Sequence, residues 1–321
     1  MRVAPCSTLH AFLCVAAWLR LGSAVRMAEV SMPDPICRLI AGGIASGTAK
    51  TAMAPFERVK LILQTSHKYA NALEALRRIP AEEGVASLWR GNVANLARIV
   101  PTYAMRFALL DNFRAAVRLG APAGTRLTLA QELCAGALAG AAVCVVTHPL
   151  DLARTHLAVA SGAHASAGVR GTLGLFVRKY GVVGLYRGLA VSLLEIMPYT
   201  AISLGGFEYI KASLSASHVD PRSKLAASWL SGLCASLLCY PLDSVKRRLM
   251  VDGVTGGGMY GGSIARCITT VIRLEGARGL YRGCLLNALK SAPTFAATAT
   301  MNDLLKVWLG CGVAAHSAKA R

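Results

Sequence analysis

One short pattern constrains this chain more than any other. Pro-x-acid-x-x-base occurs three times, as Pro55-Phe56-Glu57-Arg58-Val59-Lys60, Pro149-Leu150-Asp151-Leu152-Ala153-Arg154 and Pro241-Leu242-Asp243-Ser244-Val245-Lys246. The second proline follows the first by 94 residues and the third follows the second by 92. A companion word keeps step with it: Trp89-Arg90-Gly91, Tyr186-Arg187-Gly188 and Tyr281-Arg282-Gly283. One such hexapeptide has little weight. Three of them in register, each with the same companion, define a threefold repeat.

Each copy of the pattern ends an apolar segment, and the whole chain is apolar: 54% hydrophobic and only 16% charged, with mean hydropathy +0.47. An ordinary soluble chain of this length is more polar. The formal net charge is nevertheless +19. Apolar bulk with strong positive charge points to an integral membrane protein whose partners are anionic, either phospholipid headgroups or a solute. Nucleic acid is the other partner for such a charge. It fits poorly, because the bases are dispersed among apolar segments instead of gathered on one face.

Within each unit the order of segments is the same. First comes a span rich in small residues: Cys37 to Gln64, Leu129 to Leu157, and Leu225 to Met250. Each is long enough to cross a bilayer with some tilt. Small-x-x-x-small pairs (Gly43/Gly47, Gly136/Gly140, Gly232/Ser236) allow close helix approach. A polar stretch with helical spacing follows, such as Leu73, Leu76 and Ile79, or Ile268, Val271 and Ile272, and reads as an interfacial helix. Aromatic-Arg-Gly then opens a second span: Asn92 to Leu119, Leu189 to Leu214, and Cys284 to Leu309. The expectation is an all-α membrane protein of six spans and three surface helices. Its repeats cover 37–119, 128–214 and 224–311, with an extension at 1–36 and a tail at 312–321. The extension, with Arg2, Arg20 and Arg26 and no acid before Glu29, reads as a disordered leader, a targeting segment, or an upstream extension of a chain that starts at Met27 or Met32.

Charges at membrane depth are costly unless paired or wetted. The pattern's acid and base lie three apart on one helix face, and the proline is expected to kink each helix there. Threefold symmetry then brings three kinked ends together, each acid meeting a neighbour's base. The second spans carry acid-x-x-base near their other end: Asp111/Arg114, Glu208/Lys211 and Asp303/Lys306. Two charge rings at opposite ends describe two gates around a central site. Seven residues after the glycine that opens each second span stand Arg98, Glu195 and Lys290, the mid-span set charged in all three units. Lys50, two turns before Glu57, and Arg106, two turns beyond Arg98, join Arg98 and Lys290 in an anion site. Glu195 is expected close to the neighbouring bases of that set.

The cysteines stand mostly inside apolar segments (Cys134, Cys144, Cys234, Cys239, Cys284, Cys311), without Cys-x-x-Cys or His/Cys ligand spacing. They read as reduced, buried, small hydrophobes. No metal or cofactor is implied, and no nucleophile–base pair points to an enzyme.

From Cys37 to Leu309 these words resemble the mitochondrial carrier family. The resemblance implies a six-helix bundle with pseudo-threefold symmetry and three matrix-side helices. It implies a matrix gate of Glu57/Lys60, Asp151/Arg154 and Asp243/Lys246, with Gln64 as a brace. It also implies a cytoplasmic gate of Asp111/Arg114, Glu208/Lys211 and Asp303/Lys306. Substrate contact points fall at Arg98, at Glu195 with Ile196, and at Lys290. Cardiolipin is implied at Arg90-Gly91, Arg187-Gly188 and Arg282-Gly283, where backbone N–H groups hold phosphate.

Within the family, Ala49 to Lys60 and Trp89 to Arg98 are most similar to the ADP/ATP carrier branch, in which Lys50, Arg98 and Tyr199 match nucleotide-contacting positions. Leu194 to Tyr199 looks more like the coenzyme A and ATP-Mg/phosphate carriers, which have glycine where Glu195 stands. Lys179-Tyr180-Gly181 lacks the usual acid, and none of Leu110, Phe207 and Asn302 can act as a tyrosine brace. No calcium-binding loop pattern precedes the repeats. The resemblance thus implies a monomeric, multi-pass carrier of the mitochondrial inner membrane. It would exchange a phosphorylated adenine compound by alternating access, with coenzyme A, an amine-bearing substrate, or a non-transporting scaffold as alternatives.

Overall fold

A computed structural model describes residues 34–66, 68–118, 127–160, 168–213, 221–252 and 258–309. Residues 1–33, the tail after Leu309 and Cys311 lie outside them. The described residues are helical, with no strand among them. In chain order the helices are α1 (Asp34–Ala52), α2 (Ala54–Thr65), α3 (Ala72–Glu83), α4 (Asn92–Val117), α5 (Leu129–Val159), α6 (Gly168–Tyr180), α7 (Leu189–Ser213), α8 (Pro221–Leu238), α9 (Tyr240–Val251), α10 (Ile264–Glu275) and α11 (Cys284–Trp308). Residues 47–297 form one compact unit and the described residues outside that range form a second. All side-chain geometry below concerns the first.

The motif prolines act differently in the three repeats. Helix α2 starts with Pro55 in its first turn after a break at Met53, and α9 starts with Pro241 after a break at Cys239. Helices α8 and α9 meet at 59°. In the second repeat α5 runs unbroken through Pro149 for 31 residues. The expected kink is therefore a helix break in two repeats and not in the third. An interior proline removes one backbone hydrogen bond, which packing from neighbours can outweigh.

Among the described residues, two helices are long and apolar enough to cross a membrane on composition alone, Leu129–Val159 and Val182–Lys211, and the bent pair Ser223–Leu238 with Tyr240–Val251 qualifies as one span.

Two surface helices, α3 and α10, start on side-chain caps, Asn71 and Ser263. Asn71 accepts from Glu74 N–H at 2.9 Å, and the Glu74 carboxylate accepts in return from Ala70 N–H. Of the expected stripes, Leu76 and Ile79 in α3 and Ile268 and Val271 in α10 turn inward, and one member of each does not. In α3 the buried residues are Ala75 and Ile79, and Leu73 is exposed. In α10 they are Cys267 and Val271, and Ile272 is exposed. Burial pushes the Cys267 thiol up to about 12, so it stays protonated as a small apolar group. The other cysteines depart from the expectation in part. Cys239 is buried, Cys134 and Cys234 are exposed, and Cys37 is disulfide-bonded, so the cysteines are not all reduced and inward.

Packing crosses the repeats at each junction. Leu286 of α11 joins the apolar cluster of α2 and α3, Val191 of α7 joins that of α9 and α10, and Met250 of α9 packs with Leu152 and Phe176. Among the small-residue pairs, Gly47 faces Leu96, and Gly136 and Gly140 face Thr200 and Ile196, whereas Gly232 has open space around it.

The three aromatic-Arg-Gly glycines have φ of +81°, +82° and +81°, which only glycine adopts without strain. Each also sits against the next repeat's motif base. A Cβ on Gly91 would lie 2.8 Å from the Arg154 carbonyl oxygen, one on Gly188 3.2 Å from that of Lys246, and one on Gly283 3.5 Å from that of Lys60.

Candidate functional site

Where the three Pro-x-acid-x-x-base segments meet, their charges pair between repeats. Arg154 Nη2 donates to Glu57 Oε2 at 2.7 Å. Lys60 Nζ donates to Asp243 Oδ2, also at 2.7 Å. Lys246 Nζ approaches Asp151 Oδ2 at 3.9 Å. The three contacts close a cycle from the first repeat to the second, the second to the third, and the third to the first. Gln64 is fully buried beneath it and donates to Asp243 Oδ2 at 3.2 Å. The Lys60 ammonium also lies over the Tyr240 ring, 5.2 Å from its centre.

Sequence reasoning missed one member of this cluster. Arg247 sits 3.1 Å from Asp151 and 3.3 Å from Asp243 and donates to Thr155 Oγ1 at 2.8 Å. The available signal was its place four residues after Asp243, on that acid's own helix face.

Beside this ring lies a cavity of about 280 Å³. Arg98, Thr102 and Arg106 of α4 line it at intervals of four, and Gly136, Gly140, Val143, Thr147 and Asp151 of α5 at helical intervals of three and four. Ser192, Glu195, Ile196, Tyr199 and Thr200 face it from α7, and Lys246 reaches it from α9. Cys144 and His148 complete the wall. Three bases therefore face two carboxylates across a half-polar surface. Thr102, Ser192 and Thr147 were not singled out from the sequence, although continuing the stripes of Arg98, Glu195 and Asp151 at three- and four-residue steps reaches all of them.

Of the expected central set, Arg98, Arg106, Glu195, Ile196 and Tyr199 line the cavity; Lys50 and Lys290 do not. Lys290 pairs with Glu57 of the ring. Lys50 makes no ion pair with a described residue. Glu195 was expected beside Arg98 and Lys290. It shares the cavity with Arg98, but its ion pair is with Lys246, 3.5 Å away. The reason is reach: Lys246 projects from the ring into the same space, while Lys290 is held by a carboxylate closer to hand.

The charges at the other end behave differently. Asp111 and Arg114 pair within α4 at 3.6 Å, and Arg114 also meets Glu132 of α5 at 3.0 Å. Glu208 and Lys211 pair within α7 at 3.1 Å. In the unit of residues 47–297, these four make no acid-to-base cycle among the described residues. Asp303 and Lys306 belong to α11 in the second unit.

The aromatic-Arg-Gly arginines bind protein groups. Arg90 pairs with Glu83, which also holds the buried Arg58 at 2.7 Å. Arg187 pairs with Asp252 at 3.1 Å and lies over Tyr180, an arrangement that supplies the second repeat with an acid where Lys179-Tyr180-Gly181 has none. Arg282 donates to the Tyr69 carbonyl at 3.0 Å. Next to it a cavity of about 220 Å³ lies between the start of α11, at Gly283 and Leu285, and the start of α3, at Ala70 to Ala72. No cluster of three or more metal-ligating side chains occurs among the described residues.

Three helical repeats, a cyclic ion-pair ring and an adjoining basic cavity define a membrane solute-carrier architecture. The chain belongs to the mitochondrial carrier protein family, whose model matches residues 32–119, 125–218 and 217–312. It is 36% identical over 273 residues to ADP/ATP translocase 2 of Bos taurus, covering 78% of this chain and 90% of the relative. It is 35% identical over 283 residues to the mitochondrial coenzyme A transporter SLC25A42 of Xenopus tropicalis, covering 84% and 85%. It is 32% identical over 307 residues to the mitochondrial carrier protein CoAc2 of Zea mays, covering 90% and 91%.

Proposed function

We propose that this chain carries a phosphorylated adenine compound across the mitochondrial inner membrane by alternating access. The observation that carries this reading is the ring of ion pairs between repeats beside a basic cavity. A closed cycle of ion pairs between repeats beside a cavity is what a carrier needs when its site is shut on one side. In this reading Glu57, Lys60, Gln64, Asp151, Arg154, Asp243 and Lys246 form the matrix gate. Asp111, Arg114, Glu208, Lys211, Asp303 and Lys306 form the cytoplasmic gate. Arg98 and Arg106 receive phosphate, and Ile196 and Tyr199 flank the base. Lys290 joins them as the ring opens and Glu57 lets it go, with Lys50 at the rim.

Relatives named for ADP/ATP and for coenzyme A match this chain about equally well, which supports an adenine-bearing anion and keeps coenzyme A as the second reading. The engagement of Glu195 by Lys246 supports charge balance in the empty cavity over recognition of a substrate amine. The test is a thermal-shift panel of ADP, ATP, coenzyme A, phosphate and amino acids on purified protein. Stabilisation by ADP and ATP above the others is expected. Stabilisation by an amino acid derivative, with none by any adenine compound, overturns the reading. Flux of the stabilising compound in liposomes then separates a transporter from a scaffold.

A second expectation concerns lipid. The starts of α3 and α11 both border the cavity beside Arg282 and Gly283, and helix starts suit lipid phosphate. Cardiolipin added to detergent-purified protein is expected to raise its melting temperature by several degrees more than a zwitterionic phospholipid does. Equal shifts from the two lipids rule the site out.

A further inference from the structure

The third repeat departs from the other two at its motif base. Lys60 and Arg154 each hold their acid at 2.7 Å. Lys246 stands 3.9 Å from Asp151, too far for a hydrogen bond, and 3.5 Å from Glu195. The next residue fills the place. Arg247 spans Asp151 and Asp243 at 3.1 and 3.3 Å, braced by Thr155, and does not line the cavity. A planar guanidinium can serve two carboxylates at once, whereas a lysine is a compact point charge on a flexible stem.

We propose that Arg247 is the working base of the ring in the third repeat, and that Lys246 is an anion ligand of the cavity, masked by Glu195 until a substrate phosphate displaces that carboxylate. The proposal rests on the reading of this cavity as an anion site and deepens it. Glu195 becomes a specificity-determining residue. A resident carboxylate at 3.5 Å competes with every entering anion, and only the fraction of molecules with Lys246 unmasked binds at full strength. A singly charged anion gains little by the exchange. A pyrophosphate group brings more charge and further oxygens for Arg98 and Arg106, so it displaces Glu195 with profit in contacts. The mask therefore selects for multiply charged phosphates without contributing any contact to them.

The experiment is a double-mutant cycle on the full chain in detergent, read by thermal-shift titration with inorganic pyrophosphate and, separately, ADP. The proteins are wild type, Glu195→Gln, Lys246→Gln, the double variant and Arg247→Gln. Glu195→Gln is expected to tighten pyrophosphate binding about tenfold, equivalent to roughly 1.4 kcal/mol. Lys246→Gln is expected to weaken it, and in that background Glu195→Gln should change it less than about twofold. Without ligand, Arg247→Gln should lower the melting temperature more than Lys246→Gln does, because Arg247 holds two ring carboxylates at 3.1 and 3.3 Å and Lys246 only one, at 3.9 Å. The proposal fails if Glu195→Gln does not tighten pyrophosphate, or if pyrophosphate binds to neither protein of that pair. It also fails if the tightening is as large without Lys246, or if Lys246→Gln destabilises the free protein as much as Arg247→Gln. If the pyrophosphate cycle holds while ADP binds no better than pyrophosphate in every variant, this inference stands and the adenine reading falls.

Discussion

Reversing the charge at Asp243 is expected to bring solute uptake close to background. Asp243→Lys places a third cation against Lys60 and Arg247, which the native carboxylate holds at 2.7 and 3.3 Å, and it removes the acceptor of Gln64. The side chains of Lys60 and Asp243 are only 10% and 14% exposed, so neither charge has water to fall back on. Breaking such a desolvated pair costs roughly 3–5 kcal/mol. A closed state weakened by that much loses its population by a factor on the order of a hundred or more. Adding Lys60→Asp restores an ion pair of opposite polarity at the same place. Recovery is expected to be partial, because Arg247 then faces a lysine. The readout is uptake into liposomes by the two single variants and the double one. A double variant no better than the worse single one shows that the pair does not act as a unit.

The second large effect is expected at Gly91. An alanine there needs the left-handed backbone at φ +81° and a Cβ 2.8 Å from the Arg154 carbonyl oxygen, closer than real Cβ atoms stand to anything. The obstacle is backbone and cannot rotate away, so α4 and α5 must separate at the ring. Gly84 provides the control. Its φ is +82°, and a Cβ there would meet nothing within 4 Å. Both variants carry a positive-φ penalty: about 1–2 kcal/mol for Gly91 in the left-handed region, and about 1–3 kcal/mol for Gly84, whose ψ of 156° lies outside that region. Only Gly91→Ala adds the clash, which brings its expected cost to about 3 kcal/mol or more. Melting temperatures of the purified variants decide the matter. Equal losses at the two positions mean that the close approach between the repeats does not matter to the fold.

Local order was legible in this chain. Helical period, turn chemistry and the spacing between an acid and a base on one helix depend only on neighbours in sequence, and the repeat multiplied each signal by three. The Pro-x-acid-x-x-base words located the ring, and the seven-residue step from Gly91 and Gly188 reached Arg98 and Glu195 in the cavity wall. The same step reached Lys290, whose partner was not legible: it meets Glu57. Nor was it legible that Asp151 takes Arg247 in preference to Lys246, or that Lys246 turns to Glu195.

These choices are made across repeats, between residues 51 to 233 positions apart, where a difference of one ångström selects the partner and a sequence pattern has no such resolution. Pro149 makes the same point for the backbone. A motif proline predicts a break, yet α5 continues through it while α2 and α9 begin at theirs. What a proline removes is one local hydrogen bond; whether the helix parts there is decided by the surfaces packed on either side.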